Sequence, residues 1–512
     1  MKSIARLSTS SVCSRGLLAA AVISTLSLVA LDGEAAGLYF SERGVRPLAR
    51  GGAFVAGAND LGAVWYNPAG IYDAGDSILF DASWLNFSTD YTRRALVQQR
   101  DPNTGEVVGE FEQTFPSVDG DSPIIPIPTL GGTFRVADDW ALAFAAFAPY
   151  SAITSYPEEV EGEPSPSRYS LITLEGSLLA VIGGWVAWAP NDQWRVGMGL
   201  QLLVGRFAAT TMFSACVPDR LFCAPEQPEY DSLTQLDAGP IIAPTGNIGV
   251  QWIPHRQWQV GLAFQAPTVI RSSGKTRSRL PSAAIFEQAS VVGEDVRVGF
   301  ELPWSLRWGV QFEPLDDLFV EVDGSWEGWS IHDEISVNPE GVAIANLPGF
   351  PNPTYVPNQS IPRNFRDSLS IRAGGEYGIP VDSVTIWARG GLSYESSAIP
   401  PEYLSVLTVD VNKLTTSLGV GIEVDAWRFD MTYAHIFGFT ADVDPADAKS
   451  PALHPIEANE PEPHTVNGGT YAARADVVGI GLVYSFDAGE EEQAAAPQEP
   501  PPEEQEEPSD AG

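Results

Sequence analysis

Chemistry in this 512-residue chain would have to come from few side chains: three cysteines, five histidines, and charged residues placed at every second position of otherwise apolar segments. Cys216 and Cys223 lie in a polar, Pro-containing stretch, and in an oxidising compartment they would close one small loop as a disulfide. A metal site is the weaker alternative, because the two thiols have no His-rich partner nearby. No metal and no cofactor is expected. No Ser-His-acid set can be assembled, so no catalytic residue is expected and the chain does not read as an enzyme. Glu321 with Asp323, Arg428 with Asp430, and Arg389 fall on the inward-candidate face of strand-like segments and would make part of an interior polar. Pro149, in Phe147-Ala148-Pro149-Tyr150, cannot donate to a ladder and marks either a strand end or a local break in pairing. Asn67, in Asn67-Pro68-Ala69-Gly70, carries an amide able to cap its own turn.

The elements that must position these groups are strands. After Ala36 no long stretch keeps a 3.6-residue apolar period, whereas period-two runs recur. Trp258, Val260, Leu262 and Phe264 alternate with Gln259, Gly261, Ala263 and Gln265, and Trp427, Phe429, Met431 and Tyr433 alternate with Arg428, Asp430, Thr432 and Ala434. Short turns rich in Asp, Asn and Pro precede Trp140, Trp194, Trp258, Leu318 and Trp427. Long polar loops, near 88–122, 149–168, 207–240, 272–296, 331–364 and 440–472, join the other strand ends. Short turns on one side, long loops on the other and Trp where strands leave the turns describe an outer-membrane barrel with an aromatic girdle. The count is about fourteen antiparallel strands over residues 77–486, closed because backbone groups in lipid must all be paired. The last strand, with Val478, Ile480, Leu482, Tyr484 and Phe486 on one face, suits that closure. Segments 140–147 and 178–188 are apolar on both faces and need an apolar partner inside the barrel, a plug or a ligand.

Composition agrees. With 29 Lys+Arg against 66 Asp+Glu the formal net charge is −37, which excludes a nucleic-acid binder. Lys2, Arg6 and Arg15 precede a short apolar run over 16–31, and Gly33-Glu34-Ala35 sets a cleavage site after Ala35, so residues 1–35 read as a signal peptide. Cys13 would leave with it. Residues 487–512 hold ten acids and no base with Pro-rich spacing, an acidic disordered tail on the periplasmic side. The location is the outer membrane of a Gram-negative bacterium, and the expected partners are outer-membrane lipid and the barrel-assembly machinery, with the barrel a monomer.

Residues 36–76 form a separate segment before the first strand. Ala36-Gly37-Leu38-Tyr39, then Ala49-Arg50-Gly51-Gly52-Ala53, then Trp65-Tyr66-Asn67-Pro68-Ala69-Gly70 resemble the N-terminal hatch of the long-chain fatty acid and hydrocarbon outer-membrane transporter family (FadL/TodX, OmpP1 family). Further landmarks follow in order: Leu302-Pro303, Trp326-Glu327-Gly328-Trp329-Ser330, Phe365-Arg366-Asp367-Ser368, Gly374-Gly375-Glu376-Tyr377, and Arg389-Gly390-Gly391-Leu392-Ser393-Tyr394. The resemblance implies a fourteen-stranded barrel with a hatch inside the lumen. It implies passive uptake of hydrophobic compounds, long-chain fatty acids first and uncharged hydrocarbons or other lipids as the alternative, with exit beside a kinked third strand. A non-transporting structural or adhesive barrel is the other reading of the same fold. By position, Pro149 suits the kink, Leu38 and Phe147 the apolar surface near it, and Asn67, Pro68 and Ala69 the hatch turn that moves. Arg206 matches a place where the family captures a carboxylate. After Trp329-Ser330, where a second cation is expected, this chain has His332, Asp333 and Glu334, which leaves room for uncharged hydrocarbons or sterol-like ligands.

Overall fold

A computed structural model describes residues 42–100, 107–150, 154–217, 221, 223, 226–456 and 464–486. The signal peptide, Leu38 and the acidic tail lie outside these residues. Fourteen antiparallel strands close on themselves. They are β1 (Ser77–Arg100), β2 (Val107–Asp121 and Pro126–Ala137), β3 (Trp140–Tyr150), β4 (Leu178–Asn191), β5 (Trp194–Ser214), β6 (Asp231–His255) and β7 (Trp258–Gln265 and Thr268–Arg279). They continue as β8 (Asp295–Leu302 and Trp304–Leu315), β9 (Leu318–Gly328), β10 (Ser368–Val381), β11 (Val384–Glu395), β12 (Lys413–Val424), β13 (Trp427–Gly438) and β14 (Gly469–Ser485). Each strand pairs with its sequence neighbours, and β14 returns to β1 in register from Ser77↔Ser485 to Arg93↔Gly469. No barrel edge is left among the described strands, which is what a lipid-embedded backbone requires.

Alternation decides which face meets lipid. On β5, Met198, Leu200 and Leu202 are exposed while Gln201 and Leu203 are buried. The short-turn rim carries paired aromatics facing outward: Trp140 stacks on Trp188, Trp194 on Trp252 and Trp258 on Phe312. These are directly opposed cross-strand residues, so the register itself builds the girdle.

Two loops expected from polarity are strand instead. The β1–β2 hairpin continues to Arg94↔Thr114 and beyond, and β5–β6 pairing runs out to Ser214↔Asp231. The inner face of these extensions stays buried, through Tyr91, Arg93 and Ala95 on β1 and Phe207 and Phe213 on β5, but the outer face is polar at Asp90, Thr92 and Arg94, so the apolar face that marks a lipid-facing strand is missing although the ladder persists.

Residues 42–76 run along the inward face of the wall. They form two short helices, α1 (Val45–Ala49) and α2 (Ala63–Tyr66), followed by a 3-10 turn (Pro68–Ala74). Nearly all of this segment is buried, Phe54, Val64, Trp65, Tyr66 and Ile71 included. It supplies the apolar partner that β3 and β4 need: Ala141, Ala143, Phe147, Val181 and Trp185 join its core cluster. Wall glycines let its backbone come close. A Cβ on Gly197 would lie 2.2 Å from the Pro68 carbonyl oxygen, and one on Gly249 would lie 2.1 Å from Asn67 Oδ1.

Candidate functional site

The inner segment is tied to the wall by charge. Arg46 and Arg50 lie one turn apart at α1 and reach opposite carboxylates. Arg50 is fully buried and bonds Glu321 at 2.6 Å and Glu376 at 3.0 Å; Arg46 bonds Glu376 and Asp60. Arg389 bridges Glu376 and Asp430, and Arg428 bridges Asp430 and Asp60. The inward charges expected from alternation on β9, β11 and β13 therefore hold the inner segment rather than line open water. Wall side chains also take its backbone: Asp323 accepts from the amides of Phe54 and Val55, Glu321 from those of Ala56 and Gly57, and Asn247 donates to the Val64 carbonyl.

Asn67 is bonded both within the inner segment and to the wall. Its Oδ1 accepts from Ala69 N, the turn cap expected from sequence, while its Nδ2 donates to the carbonyls of Val55 in the same segment and Val250 on β6. Pro68 and Ala69 follow it, buried against β5.

Above the inner segment, at the long-loop end, two apolar chambers adjoin. The outer one encloses about 1000 Å³, part of it open, among Leu171, Phe213, Leu280, Ile344 and Leu453. The inner one spans about 900 Å³, open to solvent in part, among Leu174, Leu179, Phe300, Phe365 and Ile399. Phe207, Ile335 and Leu407 border both. Linings of this kind suit the apolar body of a ligand.

Four charged side chains interrupt the apolar lining of the inner chamber: Arg363, Glu395, Asp410 and Lys413. Arg363, in the long connection between β9 and β10, is 1% exposed, and none of its three guanidinium nitrogens has a hydrogen-bond partner among the described residues. Its plane lies 4.6 Å from the Phe365 ring. Burial pushes its pKa down to about 9 against the opposing pull of Asp410. Lys413, on the same lining, is instead neutralised by Glu395 and Asp410 at 2.5 and 2.9 Å. His332 stands beside Arg363, and its Nδ1–H donates to the Glu301 carbonyl at 2.8 Å. Burial and the neighbouring guanidinium push the imidazole down to about 3, so it is neutral. A guanidinium without a hydrogen-bond partner in a largely apolar chamber has the chemistry to receive an anionic group that brings an apolar body with it.

The wall weakens beside this chamber. β3 pairs with β2 only as far as Phe147↔Thr129, and Ala148, Pro149 and Tyr150 have no ladder partner on that side among the described residues. On the other side the register slips between Phe147↔Val181 and Tyr150↔Leu179, and Leu179 lines the inner chamber. On β2 the facing stretch carries Pro126 and Pro128 after a break at residues 122–125, so prolines withdraw donors from both strands. Pro149 is the penultimate residue of β3, so the strand end and the slip in pairing fall at the same place. Phe147 is buried there, edge-on to Trp65 of α2 at 5.7 Å and near Trp185.

Arg206 is not part of this site. It shares the parity of Leu200 and Leu202, so it faces outward, about half exposed, where it meets Asp237 at 3.4 Å. The cations that reach the chamber are Lys413 and Arg363, the latter thirty-one residues beyond His332 in sequence but hydrogen-bonded through its backbone amide to the Asp333 carbonyl. The clue was in Ile361-Pro362-Arg363-Asn364-Phe365, a lone cation flanked by apolar residues just before a family landmark. Cys216 and Cys223 form the expected disulfide, with Cα atoms 5.8 Å apart, at the long-loop end.

Comparison with known proteins agrees with this geometry. The chain matches the model of the outer membrane protein transport protein family (OMPP1/FadL/TodX) over residues 26–486. Among solved structures it is similar to a Pseudomonas aeruginosa FadL homologue, with 15% identity and a TM-score of 0.65 over 88% of this chain and 100% of that one. The P. putida toluene transporter TodX gives 14% identity and 0.57 over 87% and 99%, and the Ralstonia pickettii toluene transporter TbuX gives 16% and 0.53 over 87% and 99%. No curated protein matches the sequence.

Proposed function

The chain belongs to the OMPP1/FadL/TodX family of outer-membrane transporters of hydrophobic compounds, and from that premise we propose that its substrates are long-chain fatty acids. The observation that carries this reading is Arg363, a guanidinium without a hydrogen-bond partner among the described residues, in a largely apolar chamber whose other cation, Lys413, is already paired with Glu395 and Asp410. A hydrocarbon offers that charge nothing, whereas a carboxylate with a long tail satisfies the fork and fills the cavity.

The route follows from the neighbouring parts. The acyl chain enters the outer apolar chamber, passes Phe207, Ile335 and Leu407, and anchors its head at Arg363. Trp65 and Phe147 close the way down to the unpaired stretch at Pro149. Displacement of the inner segment as a hatch, hinged at Asn67, Pro68 and Ala69, moves Trp65 and opens the gap between β2 and β3 toward the lipid. No step consumes energy; the gradient drives it.

Mass spectrometry of small molecules retained by the purified barrel tests the substrate assignment. Long-chain carboxylic acids at near one per barrel are expected, lost in Arg363→Met. Retention of uncharged hydrocarbons alone would overturn it.

A further inference from the structure

The outward face of β7 changes character part way along. Trp258, Leu262, Phe264 and Val269 are exposed and apolar; then Arg271, Lys275, Arg277 and Arg279 take the same side. Val269 is eleven residues beyond Trp258 in the aromatic ring. At about 3.3 Å per residue and a tilt near 40° that is roughly 28 Å of height, close to the apolar band of an outer-membrane barrel. Arg271 therefore stands about 5 Å above the band and Arg279 about 20 Å higher still.

Arg297 on the paired strand β8 and Arg206 on β5, one strand beyond β6, add to it. Six cations within four consecutive strands stand out in a chain with 29 Lys+Arg against 66 Asp+Glu. Acids are interspersed. Asp237 meets Arg206 at 3.4 Å, Glu340 meets Arg297 at 2.8 Å, and Glu294 holds Lys275. Asp295 lies opposite Lys275 in the ladder, and Glu301 lies opposite Val269. Arg271, Arg277 and Arg279 form no ion pair among the described residues and are exposed.

We propose that this stripe binds lipid A, the phosphorylated glycolipid of the outer leaflet. Its phosphates would sit against Arg271 and Lys275, and the phosphates of the attached sugar core against Arg277 and Arg279. The height argues for a leaflet lipid over a soluble partner, because the stripe begins where the acyl region ends and continues the apolar surface that acyl chains cover. The charge argues for phosphate: free guanidiniums pair with it through two parallel hydrogen bonds. The inference rests on the outer-membrane location alone and stands whatever the barrel transports.

The test uses the full chain in dodecyl maltoside micelles, titrated with hexa-acylated bisphosphorylated lipid A and with its dephosphorylated form and followed by native mass spectrometry. Wild type should prefer the phosphorylated form on the order of tenfold, and the preference should fall as salt screens it. The triple variant Arg271→Gln, Arg277→Gln, Arg279→Gln should lose that preference, while Arg474→Gln, an exposed cation on β14 elsewhere on the wall, should keep it. Unheated gel mobility establishes that each variant is folded, and Arg277→Gln alone, expected to weaken the preference about threefold, serves if the triple is not. Equal binding of the two lipid forms by wild type, or equal loss in Arg474→Gln and in the stripe variants, would overturn the assignment.

Discussion

Replacing Arg363 by methionine separates what the residue costs from what it provides. Held at about 9, well below the ordinary guanidinium range, the buried charge is disfavoured by about 4–5 kcal/mol. Its contact with Phe365 returns about 2 kcal/mol at most. Methionine keeps an apolar contact with that ring and carries no charge. The variant should therefore be more stable by roughly 1–3 kcal/mol, read as a shifted denaturation midpoint in detergent micelles. Binding should move the other way. Two charge-assisted hydrogen bonds at about 1.5–3 kcal/mol each, less desolvation of the carboxylate, leave about 2 kcal/mol, or roughly thirtyfold in oleate affinity. Quenching of tryptophan fluorescence reads it, since Trp329 borders the chamber. Oleyl alcohol, the same chain without the charge, should bind wild type and variant within about threefold of each other. A less stable variant, or an oleate loss matched by an equal oleyl alcohol loss, would refute the reasoning.

Other perturbations test the remaining parts. His332 is held at about 3 in the folded chain, so between roughly pH 6.5 and 3 the unfolded chain binds a proton the folded chain refuses. Stability should fall with pH by about 2 kcal/mol at pH 5 from this group, and His332→Phe should remove that share of the difference between denaturation midpoints at pH 7 and pH 5; an unchanged difference contradicts the assignment. Asn67→Ala removes the turn cap and both donations to Val55 and Val250, and Pro149→Val restores a ladder donor. Both should change labelled-oleate uptake severalfold while melting temperature moves by only a few degrees, and unchanged uptake at normal surface levels would remove the gating role. Gly197→Val places side-chain atoms where the Pro68 carbonyl lies and should raise hydrogen exchange across residues 63–74; unaltered exchange would show that the segment does not rest there.

The barrel was legible because lipid and lumen impose opposite demands on alternate residues. The parity that sends Leu418, Val420 and Ile422 outward puts Thr415 and Ser417 inside. The inward charges Glu321, Asp323, Arg389 and Asp430 could be read the same way, but not their partners. Arg46 and Arg50 meet them only after the inner segment has folded back across more than two hundred residues of sequence. Hairpin extensions such as the upper part of β1 carry little signal, since the outer face there is polar and the buried inner face mixes Tyr91 and Ala95 with Arg93. Arg363 was missed for a related reason: proximity to His332 is created by a loop, where no period constrains the residues. Arg206 was misplaced by motif position although its parity with Leu202 pointed outward.

The most direct test is uptake by Gram-negative cells deleted for their own fatty-acid transporter and expressing this chain, offered labelled oleate and labelled toluene in parallel. The account predicts oleate accumulation above the empty-vector strain, abolished by Arg363→Met, with toluene entry unaffected by that substitution. Toluene entry without any gain in oleate, or oleate entry indifferent to Arg363, would contradict it.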